Sequence, residues 1–169
     1  MADRSHGGPR KSNNPQSRDK RLVRALYDRD LIEFKKCLQE GANPNGVEET
    51  DMPLLHYAAI AGLTRFLPPL LEAGADIDRR LENNTALMWL AFLAVTPGQK
   101  RCASILIECG ADLAAKGTIG TALDVAVSWR KADVARLLHE AHGPCKHATR
   151  IKLRALLSSG HSGERERRG

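Results

Sequence analysis

The strongest constraint on this chain is a short sequence that comes back. Gln39-Glu40-Gly41-Ala42-Asn43, Glu72-Ala73-Gly74-Ala75-Asp76 and Glu108-Cys109-Gly110-Ala111-Asp112 end alike, with glycines 33 and 36 residues apart. Each follows an amphipathic run: Leu31 to Leu38, Leu67 to Leu71, and Cys102 to Ile107. A helix commonly ends on a left-handed residue, which glycine supplies without steric cost. Upstream of each glycine lies a second apolar segment, beginning at Leu22, Pro53 and Thr85, and a fourth begins at Thr121. Thr85 and Thr121 suit the helix N-cap, where a hydroxyl accepts from the free amides of the first turn. Alanines in these segments allow close approach of neighbouring helices. The expected unit is a small-residue inner helix, a turn, a longer outer helix and a glycine-ended loop.

This pattern resembles the ankyrin repeat, a unit of ~33 residues with a Thr-Pro-Leu-His-X-Ala-Ala signature and a Gly-Ala-Asp end. Pro53-Leu54-Leu55-His56-Tyr57-Ala58-Ala59 and Gly74-Ala75-Asp76 match at the family's offset, 21 residues from first position to glycine. The resemblance implies an all-α ankyrin-repeat solenoid of about four helix–turn–helix units with flexible basic tails. The expected units are about 19–45, 50–78, 82–115 and 118–142, within a domain of 19–142. Tails are expected at 1–18 and 159–169, with a C-terminal capping helix over 144–158. Several departures are visible. Val23, Met88 and Asp124 stand where the signature has His, and only His56 keeps it. Pro68-Pro69 fall inside the second outer helix, which must start late or bend. The third unit has four extra residues around Ala94–Gly98; Thr96-Pro97 reads as a fresh helix start, giving an outer helix from about Pro97 to Cys109. The fourth unit lacks Gly-Ala-Asp.

The net charge of +6 suggests nucleic acid until it is mapped. Residues 1–21 carry +4 and residues 143–169 carry +5, leaving 22–142 at −3. The excess therefore lies in flanks rich in Gly, Ser, Asn and Arg, a composition that buries little. These are expected to be solvated tails, with contact to nucleic acid or acidic lipid disfavoured. Met1–Lys20 has no apolar h-region, so a signal peptide is not expected, and no apolar run approaches the ~18 residues a membrane span needs. Cys37, Cys102, Cys109 and Cys145 show no framework spacing; they read as small buried hydrophobes in a reducing compartment, cytoplasm or nucleus.

No phosphate-binding glycine loop, zinc-protease helix or nucleophile elbow occurs. No catalytic residue, cofactor or metal is expected, and the chain is read as not an enzyme. His139, His142, Cys145 and His147 are ligand types that zinc accepts, but two of them close a helix and no second ligand pair lies at finger spacing. His56 reads as a structural hydrogen-bonding residue tying neighbouring loops together. Residues 147–157 form a moderately amphipathic stretch. That stretch also resembles the SOCS box of ubiquitin-ligase substrate receptors, which docks Elongin C: His147, Arg150 and Arg154 match, whereas Cys145 and Thr149 stand where the family has Leu and Cys. The resemblance implies Elongin B–C as partners; the alternative is a helix that only caps the stack.

The ankyrin resemblance implies a monomeric interaction module, an adaptor or scaffold, which binds a partner protein on its concave side through loop tips and inner-helix ends. Carried over by offset, those positions are Tyr27, Met52, Ile60, Leu81, Phe92, Leu93 and Trp129, with Asp28, Ala61 and Ser128 beside them. Further tip positions fall on Glu49, Thr50, Glu82, Asn84, Gly117, Thr118 and Gly120. Three of the chain's seven aromatic residues fall on the inner-helix set. Aromatic rings bury large rigid area at low entropic cost, which is why they anchor interfaces.

Overall fold

The computed structural model describes residues 15–46 and 51–142. Eight helices occur among them, in four pairs. The inner helices are α1 (Pro15–Tyr27), α3 (Leu54–Ile60), α5 (Ala86–Leu93) and α7 (Ala122–Ser128). The outer helices are α2 (Leu31–Gln39), α4 (Leu67–Glu72), α6 (Pro97–Glu108) and α8 (Ala132–His142). Helix α5 packs between α3 and α7, and the outer helices follow one another in the same order. The array is a one-dimensional stack in which each unit buries its apolar side on its neighbours. Ala58, Ala59, Ala86, Ala91, Ala122 and Ala126 of the inner helices are all buried. The outer layer fills its interior with Phe34, Leu67, Leu70, Leu106 and Leu138. Phe34 meets Phe66 edge-on at 5.0 Å.

The recurring Gly-Ala tripeptide closes the outer helices in one way three times. Gly41, Gly74 and Gly110 have φ of 83°, 90° and 88°. Their amides donate to the carbonyls of Leu38, Leu71 and Ile107, and the alanine amides that follow reach back to Cys37, Leu70 and Leu106. This is the Schellman closure, which satisfies carbonyls that the helix end would leave free.

The amide of the tripeptide's third residue is held by a side chain each time, within the first unit and then twice across units. Asp19 Oδ1 accepts from the Asn43 amide at 2.8 Å. Asn45 Oδ1 accepts from the Asp76 amide at 2.7 Å, and Asp78 Oδ1 from the Asp112 amide at 2.9 Å. Asn43, Asp76 and Asp112 in turn accept from the amides of Asn45, Asp78 and Ala114. Each short side chain therefore shapes its own turn, which is held in place by the inner helix of the same unit at Asn43 and by a residue of the preceding unit at Asp76 and Asp112.

The departures noted in the sequence resolve individually. Helix α4 starts at Leu67, so Pro68 and Pro69 lie in its first turn, where their missing amides cost nothing. Thr96 caps α6 with a capping box: its hydroxyl accepts from the Gln99 amide at 3.2 Å, and Gln99 Oε1 accepts from the Thr96 amide at 3.0 Å. Gln99 Nε2 also donates to the Ile60 carbonyl at 2.7 Å, tying the third unit to the second. Thr85 and Thr121 cap α5 and α7.

Two expectations are corrected. Helix α1 begins at Pro15, so residues 15–18 belong to the first inner helix and not to a tail. Cys109 is exposed, not buried: it is the C-cap of α6, flanked by exposed Glu108 and Gly110. Cys37 and Cys102 are buried, and burial pushes the Cys102 thiol up to about 12. The rest of the N-terminal tail, residues 144–158 with the SOCS-like stretch, the 159–169 tail, Glu49 and Thr50 lie outside the described residues. No helix among the described residues is long and apolar enough to cross a membrane.

Candidate protein-binding site

One β-hairpin stands between the second and third units: β1 (Arg80–Leu81) pairs antiparallel with β2 (Asn84–Thr85), Arg80 opposite Thr85 and Leu81 opposite Asn84. Its two-residue loop, Glu82-Asn83, has φ of 49° and 64°. Positive φ at both positions is the type I′ arrangement that follows the twist of paired strands. Below it, His56 is fully buried, with Nε2–H donating to the Asn84 carbonyl at 3.4 Å. Burial holds the His56 pKa below its ordinary value; the Asn84 carbonyl opposes that shift and the Arg79 charge adds to it. The signature histidine thus ties the second inner helix to the third unit's hairpin, as the sequence suggested.

A pocket of about 370 Å³ opens beside this hairpin. Its floor and walls are Met88, Trp89 and Phe92 from α5, with Val125 and Trp129 from α7 and its C-cap. Glu82 and Asn84 of the hairpin, with Thr118 and Ile119 of the following loop, form the rim. Phe92 meets Trp129 at 4.5 Å with planes 72° apart, and Trp89 meets Phe92 at 6.4 Å and 63°. Trp89 Nε1–H donates to the Leu81 carbonyl at 3.3 Å, fixing that ring against the hairpin. Asn84 Oδ1 accepts from the Thr118 amide at 3.2 Å, which joins the two parts of the rim. Gly117 makes this possible: a Cβ there would sit 2.3 Å from Asn84 Oδ1 and 2.6 Å from Met88 Sδ.

The structure brings some of the expected positions together and leaves others apart. Phe92 and Trp129 are in contact in the pocket, and Leu81 joins them through its bond to Trp89. Trp129 is 50% exposed, whereas Phe92 is half-buried against the core. Tyr27 is 45% exposed at the other end of the array, edge-on to Tyr57 at 4.8 Å. Met52, Ile60 and Leu93 are half-buried and do not line the pocket. Sequence reasoning missed Trp89, Met88 and Ile119. Trp89 precedes Phe92 by three residues, so the two share one helix face; that spacing was the available signal. Among the described residues no group of three or more His, Cys, Asp or Glu is disposed to hold a metal.

Helix pairs stacked in one direction, each buried on its neighbours, define a class of repeat protein, the solenoid. Residues 55–150 match the family model for ankyrin repeats, three copies. The chain belongs to the ankyrin-repeat family, whose repeats are modules of protein–protein interaction. It is similar to calmodulin-binding transcription activator 3 of Arabidopsis thaliana, 36% identical over 87 residues. It is also similar to the putative ankyrin repeat protein FPV222 of fowlpox virus (strain NVSL), 25% identical over 87 residues. These matches cover 51% and 52% of this chain but only 8% and 12% of the relatives, so the chain spans a small part of their length.

Proposed function

We propose that this chain binds a partner protein through its concave side, with the Trp89–Phe92–Trp129 pocket as the anchor, and that it does so without catalysis. The observation that carries the reading is Trp129, a large ring left half exposed on a rigid helix end and braced by Phe92. Isolated exposed hydrophobics are ordinary, but rings grouped around a concavity mark interaction sites. Tyr27 and Tyr57 extend the aromatic surface to the first two units.

Site-specific photo-crosslinking tests this directly. A benzophenone side chain placed at Ile119, on the pocket rim and 53% exposed, should join the chain to one discrete protein in cell extract. The same group at Ile32, 84% exposed on outer helix α2, should not give that adduct. The same discrete adduct from both positions, or from Ile32 alone, would place the partner elsewhere.

A further inference from the structure

The polar content of the pocket is unequally committed. The Asn84 amide is spent: Nδ2 donates to the Glu82 carbonyl at 2.9 Å and reaches Thr118 Oγ1 at 3.5 Å, while Oδ1 accepts from the Thr118 amide. The Trp89 N–H is spent on Leu81. The Glu82 carboxylate, by contrast, carries no hydrogen bond or ion pair among the described residues. It stands on the rim of a cavity walled by three rings set steeply to one another. Helix α5 contributes no charge. The nearest basic residues in sequence, Arg80, Lys116 and Arg130, do not line the cavity, and Arg80 directs its guanidinium to the carbonyls of Asn83 and Lys116.

We infer that this pocket takes a cationic side chain from a basic segment of the partner protein, its charge between the ring faces and the Glu82 carboxylate. The inference rests on the concave-side reading above and names the chemistry of the anchor. An aliphatic anchor would cover Glu82 and strip it of water with nothing in exchange, which is costly for a carboxylate. A cation gives that carboxylate a partner and is attracted by the electron-rich faces of Trp and Phe. Its methylene stem covers the apolar floor. Phe92 lies in the last turn of α5 and Trp129 at the C-cap of α7, where helix carbonyls favour positive charge. A volume of about 370 Å³ lies near the bottom of the ~300–1,000 Å³ range of ligand pockets, which suits one side chain. The folded body, residues 15–142, has a net charge of −1, so it sets no general repulsion against a basic segment.

The chain has two tryptophans, Trp89 and Trp129, so its two indole N–H resonances report on this pocket alone. The full-length protein labelled with nitrogen-15 would be titrated with Gly-Lys-Gly, Gly-Arg-Gly and the trimethyl-lysine peptide, and with Gly-norleucine-Gly as the neutral control. At least one cationic peptide should move both indoles, binding roughly five-fold or more tighter than norleucine. Glu82→Gln, which keeps the size of the side chain, should remove most of that preference. The tightest of the three cationic peptides distinguishes lysine, arginine and methylated lysine as the source. Equal binding of norleucine, unmoved indoles, or an unchanged preference in Glu82→Gln would overturn the inference. If the Ile119 crosslink persists while every peptide fails, the concave-side reading stands and only the cationic anchor falls.

Discussion

At the outer-helix ends, the first three units carry one Schellman closure and one side-chain-to-amide link, built from nearly the same residues each time. On the inner helices, equivalent positions hold Arg24, Tyr57, Trp89 and Val125, and one turn later Tyr27, Ile60, Phe92 and Ser128. The two faces meet different demands. A residue that recurs in every unit answers to what every unit must do, which is to end a helix and grip its neighbour. A residue that differs from unit to unit is released from that demand. In the third and fourth units, that freedom places three rings and an acid, unpaired among the described residues, around a cavity.

Variants on the two faces should therefore differ in what they damage. The largest effect belongs to the repeated interior: Phe34→Ala removes a fully buried ring that meets Phe66 and should cost about 3–5 kcal/mol in a denaturant melt. A cost under about 1 kcal/mol would mean that the outer layer does not hold the first two units together.

An intermediate effect should follow pH. His56 is buried with a lowered pKa, so the unfolded chain binds its proton first, near the ordinary value of 6.5. The contribution is full above that value and is lost as pH falls below it, at no more than about 1.4 kcal/mol per pH unit, until the folded pKa is reached. The denaturant midpoint should drop between pH 7.5 and 5.5, and His56→Gln should flatten that drop. An identical slope in the variant would detach the histidine from the coupling of hairpin to helix.

A smaller effect is expected at the loop ladder. Asp78→Ala removes the acceptor of the Asp112 amide and should cost roughly 0.5–1.5 kcal/mol, the net worth of one hydrogen bond. No change would show that water replaces the carboxylate and that the link only orients the turn.

The sequence made the repeated features readable because they are local. A glycine that must adopt positive φ, a threonine ahead of an apolar run and the Thr96-Pro97 start each show their reason within a few residues. Pro68-Pro69 could be read as a constraint, and the first-turn position of both prolines satisfies it. The linking residues Asn45 and Asp78 were not legible as links, since their partners lie 31 and 34 residues ahead and only the stacking of units joins them. The pocket was half legible. Offsets gave Phe92 and Trp129 but omitted Trp89, whose position in the signature carries no rule of its own. The exposure of Cys109 was not legible, since its apolar neighbours Ile105 to Ile107 suggest burial while the helix end at 108–110 faces solvent.

The central claim is that the ring left exposed on the varied face serves binding and not folding. Trp129→Ala measures it most directly, against Ile32→Ala, the truncation of a still more exposed hydrophobic residue on an outer helix. Each variant would be melted in denaturant and titrated against the protein crosslinked through Ile119. Both should fold within about 1 kcal/mol of the parent chain. Trp129→Ala alone should weaken the complex by roughly 2 kcal/mol, about thirty-fold in Kd. A Trp129→Ala variant that folds normally and binds at full strength would contradict the account.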